Sequence, residues 1–119
     1  MMVRTPGGSR ELGSWLGLAR RAGALVTGTF ATRQALREDR VKLVLLATDA
    51  SEGSRRKVLG LVEGKGVPCR TVGTRSELGA AVGESPRSAV GVVETSFAEQ
   101  LLRRVSGSER VRRVGKDGR

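Results

Sequence analysis

The chain has 119 residues, the length of one domain, and carries 22 Lys and Arg against 12 Asp and Glu, a formal net charge of +10 with no histidine. A field of that sign favours polyanionic partners, and the missing histidine excludes His-based triads, His acid–base catalysis and most zinc sites. The single cysteine, Cys69, allows no internal disulfide and no Cys-rich metal centre, and points to a reducing, cytoplasmic compartment.

Residues 1–9 are rich in Gly, Thr, Ser and Pro and are expected to be unstructured; with Arg4 but no apolar stretch they lack the centre of a secretory signal. Leu12, Trp15, Leu16 and Ala19 then fall at i, i+3, i+4 and i+7, with Arg20 and Arg21 in the last turn and Gly23 just beyond, which predicts an amphipathic helix with a stop. A short strand over Ala24–Val26 leads through Gly28 to a second helix over Thr29–Asp39, marked by Ala31, Ala35 and Leu36. Lys42–Ala47 is a continuous apolar, β-prone run of the kind buried on both faces, and is expected to be the central strand. It contains the longest apolar run, Leu43–Ala47, far short of the ~20 residues that cross a bilayer. Three further helix starts are predicted by one device, a polar cap with Glu three residues on: Asp49 with Glu52, Thr74 with Glu77, and Ser96 with Glu99. Strands are predicted between them over Val67–Val72 and Ser88–Val93. This alternation implies an α/β fold, a three-layer α/β/α sandwich with a small mixed sheet over residues 10–105. The remainder, 106–119, lacks apolar periodicity and is expected to be a disordered basic tail.

Several motifs resolve into plain structure. Gly60–Gly66 lacks the spacing of a phosphate loop and ends a helix, where the dipole is negative. Ser54-Arg55-Arg56-Lys57 has the Ser-x-x-Lys spacing of some acyl-transfer enzymes without their companion motifs, so it reads as a basic first turn. Cys69, after Pro68, reads as a small buried hydrophobe. The three aromatic residues, Trp15, Phe30 and Phe97, are too few for rows of stacking rings; Phe30 is either a base-stacking ring or the first core residue of helix two, and the core is favoured. Arg20, Arg21, Arg33, Arg37, Arg40 and Lys42 cluster around the first two helices and the next strand, Arg55, Arg56 and Lys57 on the third helix, and Arg75 and Arg87 in later loops. Phosphate binding is the favoured reading of these cations. Residues 103–119 add a net charge of +5, half of the total.

Leu-Gly-Leu-Ala-Arg-Arg-Ala-Gly over residues 16–23, Gly28 with Lys42-Leu43-Val44 beyond it, the Thr48-Asp49-Ala50 turn, Gly66-Val67-Pro68, and Arg75-Ser76-Glu77-Leu78-Gly79 with Gly83 together resemble the ribosomal protein L7Ae superfamily, in particular its small bacterial YlxQ-like branch. The resemblance runs from about Glu11 to Arg103. It implies a sandwich that binds RNA kink-turns between the start of helix two and the loop before the last strand. By position the RNA-facing loop is Gly28, Thr29, Phe30, Ala31, Thr32, Arg33 and Gln34. Where the family's kink-turn binders carry Asn, Glu and Lys, this chain has Phe30, Ala31 and Gln34, which cannot make the same polar contacts, so the expected kink-turn preference is slight. Ser51 stands where an acidic residue is common, Arg55 and Arg75 keep positive charge, and Arg87 with Ser88 falls in the second RNA-contacting loop. Arg37 and Lys42 complete the expected contacts.

The expected function is a non-catalytic, cytoplasmic, monomeric protein that recognises structured RNA, ribosomal or kink-turn-like, through the start of helix two and basic loops. No cofactor, metal, membrane or small-molecule substrate is expected. The alternative is a protein-interaction module of the translation or transcription machinery without selective RNA recognition.

Overall fold

The computed structural model describes residues 9–105, and the expectations for residues 1–8 and 106–119 lie outside that range. In chain order the elements are α1 (Ser9–Arg21), β1 (Leu25–Thr27), α2 (Thr29–Arg37), β2 (Leu43–Leu46), α3 (Glu52–Lys65), β3 (Cys69–Thr71), α4 (Arg75–Ala81), β4 (Ala89–Val92) and α5 (Thr95–Arg104). The sheet has the order β1-β4-β2-β3, with β4 antiparallel to both of its neighbours and β2 parallel to β3.

All four residues of β2 are buried, as its unbroken apolar run requires, and their alternation divides the core into two layers. Leu43 and Leu45 join Leu12 and Leu16 of α1, Leu78 of α4 and Leu101 of α5 on one face. Val44 and Leu46 join Ala35 and Leu36 of α2 with Val58 and Val62 of α3 on the other. Helices therefore cover both faces of a small mixed sheet, the expected α/β/α sandwich. Each buried Leu contributes roughly 1.5–3 kcal/mol. Two of the three aromatic rings serve the first layer: Trp15 and Phe97 meet edge on at 6.1 Å, and the Arg104 guanidinium lies 4.4 Å over the Trp15 ring while its Nε donates to Glu11 at 2.9 Å. Cys69 is buried against the second layer, and that burial pushes its thiol up to about 12, so it is a small hydrophobe as expected.

Two of the predicted caps are corrected. The Thr74–Glu77 box is present in both directions, with Glu77 N donating to Thr74 Oγ1 at 3.1 Å and Thr74 N donating to Glu77 Oε1 at 2.8 Å. At α3 the cap is Ser51, which accepts from Ser54 N at 3.1 Å; Asp49 lies too far upstream and instead accepts from Arg75 N at 2.8 Å. At α5 the cap is Glu94, whose Oε1 accepts from Phe97 N at 3.2 Å and from the Ser96 hydroxyl at 2.6 Å. Those two bonds hold the exposed Glu94 carboxyl below its ordinary range. The chain leaves β4 at Val92 and is already helical at Thr95, so Ser96 lies inside the helix. Helix α2 stops at Arg37, short of the predicted Asp39, where the backbone turns to φ 60°.

Candidate nucleic-acid interface

Strands β1, β2 and β3 all point to one end of the sheet, and the helices that follow them, α2, α3 and α4, all start there. That end is also where the loop before β4 enters. Backbone bonds stitch the four connections together: Gly28 N donates to Ala89 O at 2.8 Å, Ala47 N to Ser88 O at 2.8 Å, Thr48 N to Gly73 O at 2.7 Å, and Arg87 N to Arg75 O at 3.1 Å. Gly28, Thr29 and Phe30, Ser51 and the first-turn Arg55, Arg75, and Arg87 with Ser88 are thereby gathered at one end although they are up to 60 positions apart. Thr32, Arg33 and Gln34 follow within the next turn of α2. Arg37 is in its last turn, and Lys42 is not brought to the group, because its amide donates to Val92 O at 2.7 Å at the opposite end of the sheet.

The three helix starts differ in chemistry. Helices α3 and α4 have side-chain caps and a glutamate, Glu52 or Glu77, in the first turn. Helix α2 has neither: its cap position is Gly28 at φ 99° and ψ 156°, a conformation open essentially to glycine alone, and its first turn contains no acid. The positive end of that helix dipole is left without a side-chain oxygen to receive it, the arrangement that favours an anion. Arg33, Arg37 and Arg55 have no ion-pair partner among the described residues, and Arg33 Nε is buried without a hydrogen-bond acceptor.

The other expected contacts are already engaged. Arg75 Nε lies 3.6 Å from Asp49 Oδ2. Arg87 donates to Glu84 Oε1 at 3.0 Å and to Ser85 Oγ at 2.8 Å, while Glu84 also receives Arg20 from the end of α1. Arg20 Nε donates to Val82 O at 3.2 Å, so Glu84 fastens α1 to the loop that holds Arg87. Ser51 Oγ is used as the α3 cap and Gln34 Nε2 donates to Glu38 Oε2 at 3.3 Å. Ala31 and Ser88 are half-buried, and Thr32 is fully buried with its hydroxyl unpartnered.

Phe30 overturns the favoured core reading, being 74% exposed. The buried face of α2 is Thr32, Ala35 and Leu36, and Phe30 lies on the stripe of Arg33, Gln34 and Arg37 instead. Sequence reasoning also missed Glu84 as an organiser. The Glu84–Arg87 spacing of i, i+3 was visible, but the Arg20–Glu84 pair spans 64 positions.

The sequence profile of the ribosomal protein L7Ae/L30e/S12e/Gadd45 family matches residues 10–102. The chain is 35% identical over 92 residues to the RNA-binding protein YlxQ of Enterococcus faecium, covering 77% of this chain and 88% of that one. It is 38% identical over 87 residues to the RNA-binding protein YlxQ of Bacillus subtilis, covering 73% and 87%. Among solved structures it is similar to a protein of unknown function from Bacillus halodurans, at 34% identity and a TM-score of 0.75, covering 78% of this chain and 94% of that one. A 15.5kD RNA binding protein from Giardia lamblia shares the fold, with a TM-score of 0.69 at 22% identity and coverage of 87% and 90%.

Proposed function

The chain belongs to the ribosomal protein L7Ae/L30e/S12e/Gadd45 family, and from that premise we propose that it is a non-catalytic RNA-binding protein that grips structured RNA at the sheet end where α2 begins. The observation that carries the reading is the start of α2: an uncapped, acid-free helix terminus on Gly28 with Arg33 and Arg37 along the same helix and Arg55 on the neighbouring one, none of the three with an ion-pair partner among the described residues. RNA phosphate is the ligand that such a start accommodates, and the relatives named as RNA-binding proteins support it. Arg75 and Arg87 are assigned a different part, shaping the loops beside the RNA, because their guanidinium groups already face Asp49 and Glu84. Lys42 is left out of the interface. The net +5 of residues 103–119 strengthens attraction to any polyanion without specifying sequence.

Phosphate contacts position an RNA, whereas base contacts discriminate between RNAs. The Phe30 and Ala31 side chains offer no donor or acceptor to base edges, so base-edge contacts at these positions do not favour a kink-turn over other structured RNA. The test compares a kink-turn RNA, a plain duplex and a single strand at one salt concentration, with wild type and with Arg33→Ala combined with Arg37→Ala. Similar losses on every structured RNA support the reading. Absence of binding to all three by wild type would overturn it in favour of a protein-interaction module.

A further inference from the structure

Trp15 and Phe97 pack edge to face, half-buried against the first core layer, while Phe30 stands in water on the outer stripe of α2. Leaving a phenyl ring exposed forgoes the burial that holds the other two in place. At the second position of α2 its side chain leans back over the start of the helix, since helical Cα–Cβ bonds tilt towards the N-terminus. Its neighbours on that stripe, at i+3, i+4 and i+7, are Arg33, Gln34 and Arg37. The ring is thus a single flat apolar surface set among cations, not part of an apolar patch. Leu18, 45% exposed and the only other exposed large apolar side chain among the described residues, belongs to α1, whose core layer is on the opposite side of the sheet. A protein partner would need a contiguous apolar centre, which is missing here. A lone ring on one helix stripe with Arg33 and Arg37, which have no ion-pair partner among the described residues, complements a ligand that is flat and aromatic at one point and anionic on either side.

We propose that Phe30 is the stacking platform for one unpaired nucleobase of the bound RNA, with Arg33 and Arg37 on the phosphates that flank that nucleotide. The proposal rests on the RNA-binding reading above and adds the residue that would meet an unstacked base, Phe30. Stacking accepts any base because every base has a π-face, so the platform selects for RNA shape and not for sequence.

The experiment uses the full chain and two labelled RNA hairpins with the same stem, one fully paired and one with a bulge of adenosines. Wild type, Phe30→Ala, Phe30→Leu and Phe30→Trp are compared with the Arg33→Ala, Arg37→Ala pair over a range of salt. Phe30→Ala weakens binding to the bulged hairpin by about 5- to 150-fold and leaves the paired hairpin and the salt slope as in wild type. Phe30→Leu stays weak because it keeps bulk without a flat face, and Phe30→Trp restores affinity. With 2-aminopurine in the bulge, wild type quenches its fluorescence on binding and Phe30→Ala does not. If Phe30→Ala binds the bulged hairpin as tightly as wild type while the arginine pair weakens it, stacking is refuted and the RNA-binding reading stands. If wild type binds neither hairpin, both readings fail.

Discussion

The start of α2 and the segment from Thr74 to Arg87 face the same end of the sheet, yet one is left open and the other is closed on itself. In the closed segment nearly every polar group has an internal partner. Thr74 and Glu77 cap each other's amides, Asp49 takes Arg75, Glu84 takes both Arg20 and Arg87, and Gly79 lets the Ser85–Pro86 backbone lie directly against α4. At the start of α2 there is no side-chain cap, no acid in the first turn and no ion-pair partner for Arg33 or Arg37 among the described residues. A positive residue binds an external phosphate most readily when nothing inside the protein competes for it, because an internal carboxylate must first be displaced. Position alone would have assigned all these arginines one role. Their partners divide them into arginines already engaged by Asp49 or Glu84 and arginines with no ion-pair partner among the described residues, and it is the second group that the proposal assigns to RNA.

The largest expected effect breaks the closed side. An added methyl at Gly79 would lie 2.7 Å from the Ser85 carbonyl carbon and 2.9 Å from Pro86 Cα, which are backbone atoms that cannot rotate aside. Gly79→Ala should cost about 1–3 kcal/mol, lowering Tm by several degrees in a thermal melt. It should also weaken RNA binding, because the displaced segment carries Arg87, whose stem lies next to Gly28. A loss of stability with wild-type RNA affinity would show that the closed segment does not shape the interface.

The open side should respond in the opposite manner. Replacing Arg33 and Arg37 with Ala removes no ion pair within the described residues, so the melt should stay near wild type. Affinity for structured RNA should fall, and the slope of log affinity against log salt should flatten by about 0.7–0.9 for each phosphate that is no longer neutralised. An unchanged slope would place the phosphate-binding residues elsewhere. Thr74→Ala supplies the contrast: removing a two-way cap should cost about 1 kcal/mol of stability and leave the salt slope untouched.

Much of the fold could be read from the sequence, and the parts of the site that could not be read have physical reasons. The run at Leu43–Leu46 announced a strand buried on both faces, and the helix period located α1, α2 and α4. The exposure of Phe30 was legible in helix phase and hidden by residue type. At 3.6 residues per turn it lies roughly 120–140° from Ala35 and Leu36, on the far side of the helix. Caps were less legible because the polar-x-x-Glu spacing recurs by chance, and which member caps depends on where the preceding strand ends. Glu94, a residue type outside the usual cap set, took the role expected of Ser96. The partners of Arg75 and Arg87 depend on loops brought together by the sheet, so no local pattern in the chain could sort open arginines from engaged ones.

The smallest effect gives the sharpest discrimination, because stability and binding should move in opposite directions. Thr29 is the first residue of α2, half-buried, at the position where α3 has Glu52. A carboxylate there would face the positive end of the helix dipole, so Thr29→Glu should raise stability by about 0.3–1 kcal/mol at low salt. The same charge would occupy the field proposed for phosphate, and RNA affinity should fall. The fall should be greatest at low salt, where the added repulsion is least screened. Thr29→Gln adds similar bulk without charge and should do neither. A Thr29→Glu protein that melts higher and still binds RNA as tightly as wild type would mean that the start of α2 lies outside the interface. A protein that melts higher and binds more weakly would show that the missing acid and cap at α2 lower stability in order to keep an anion site open.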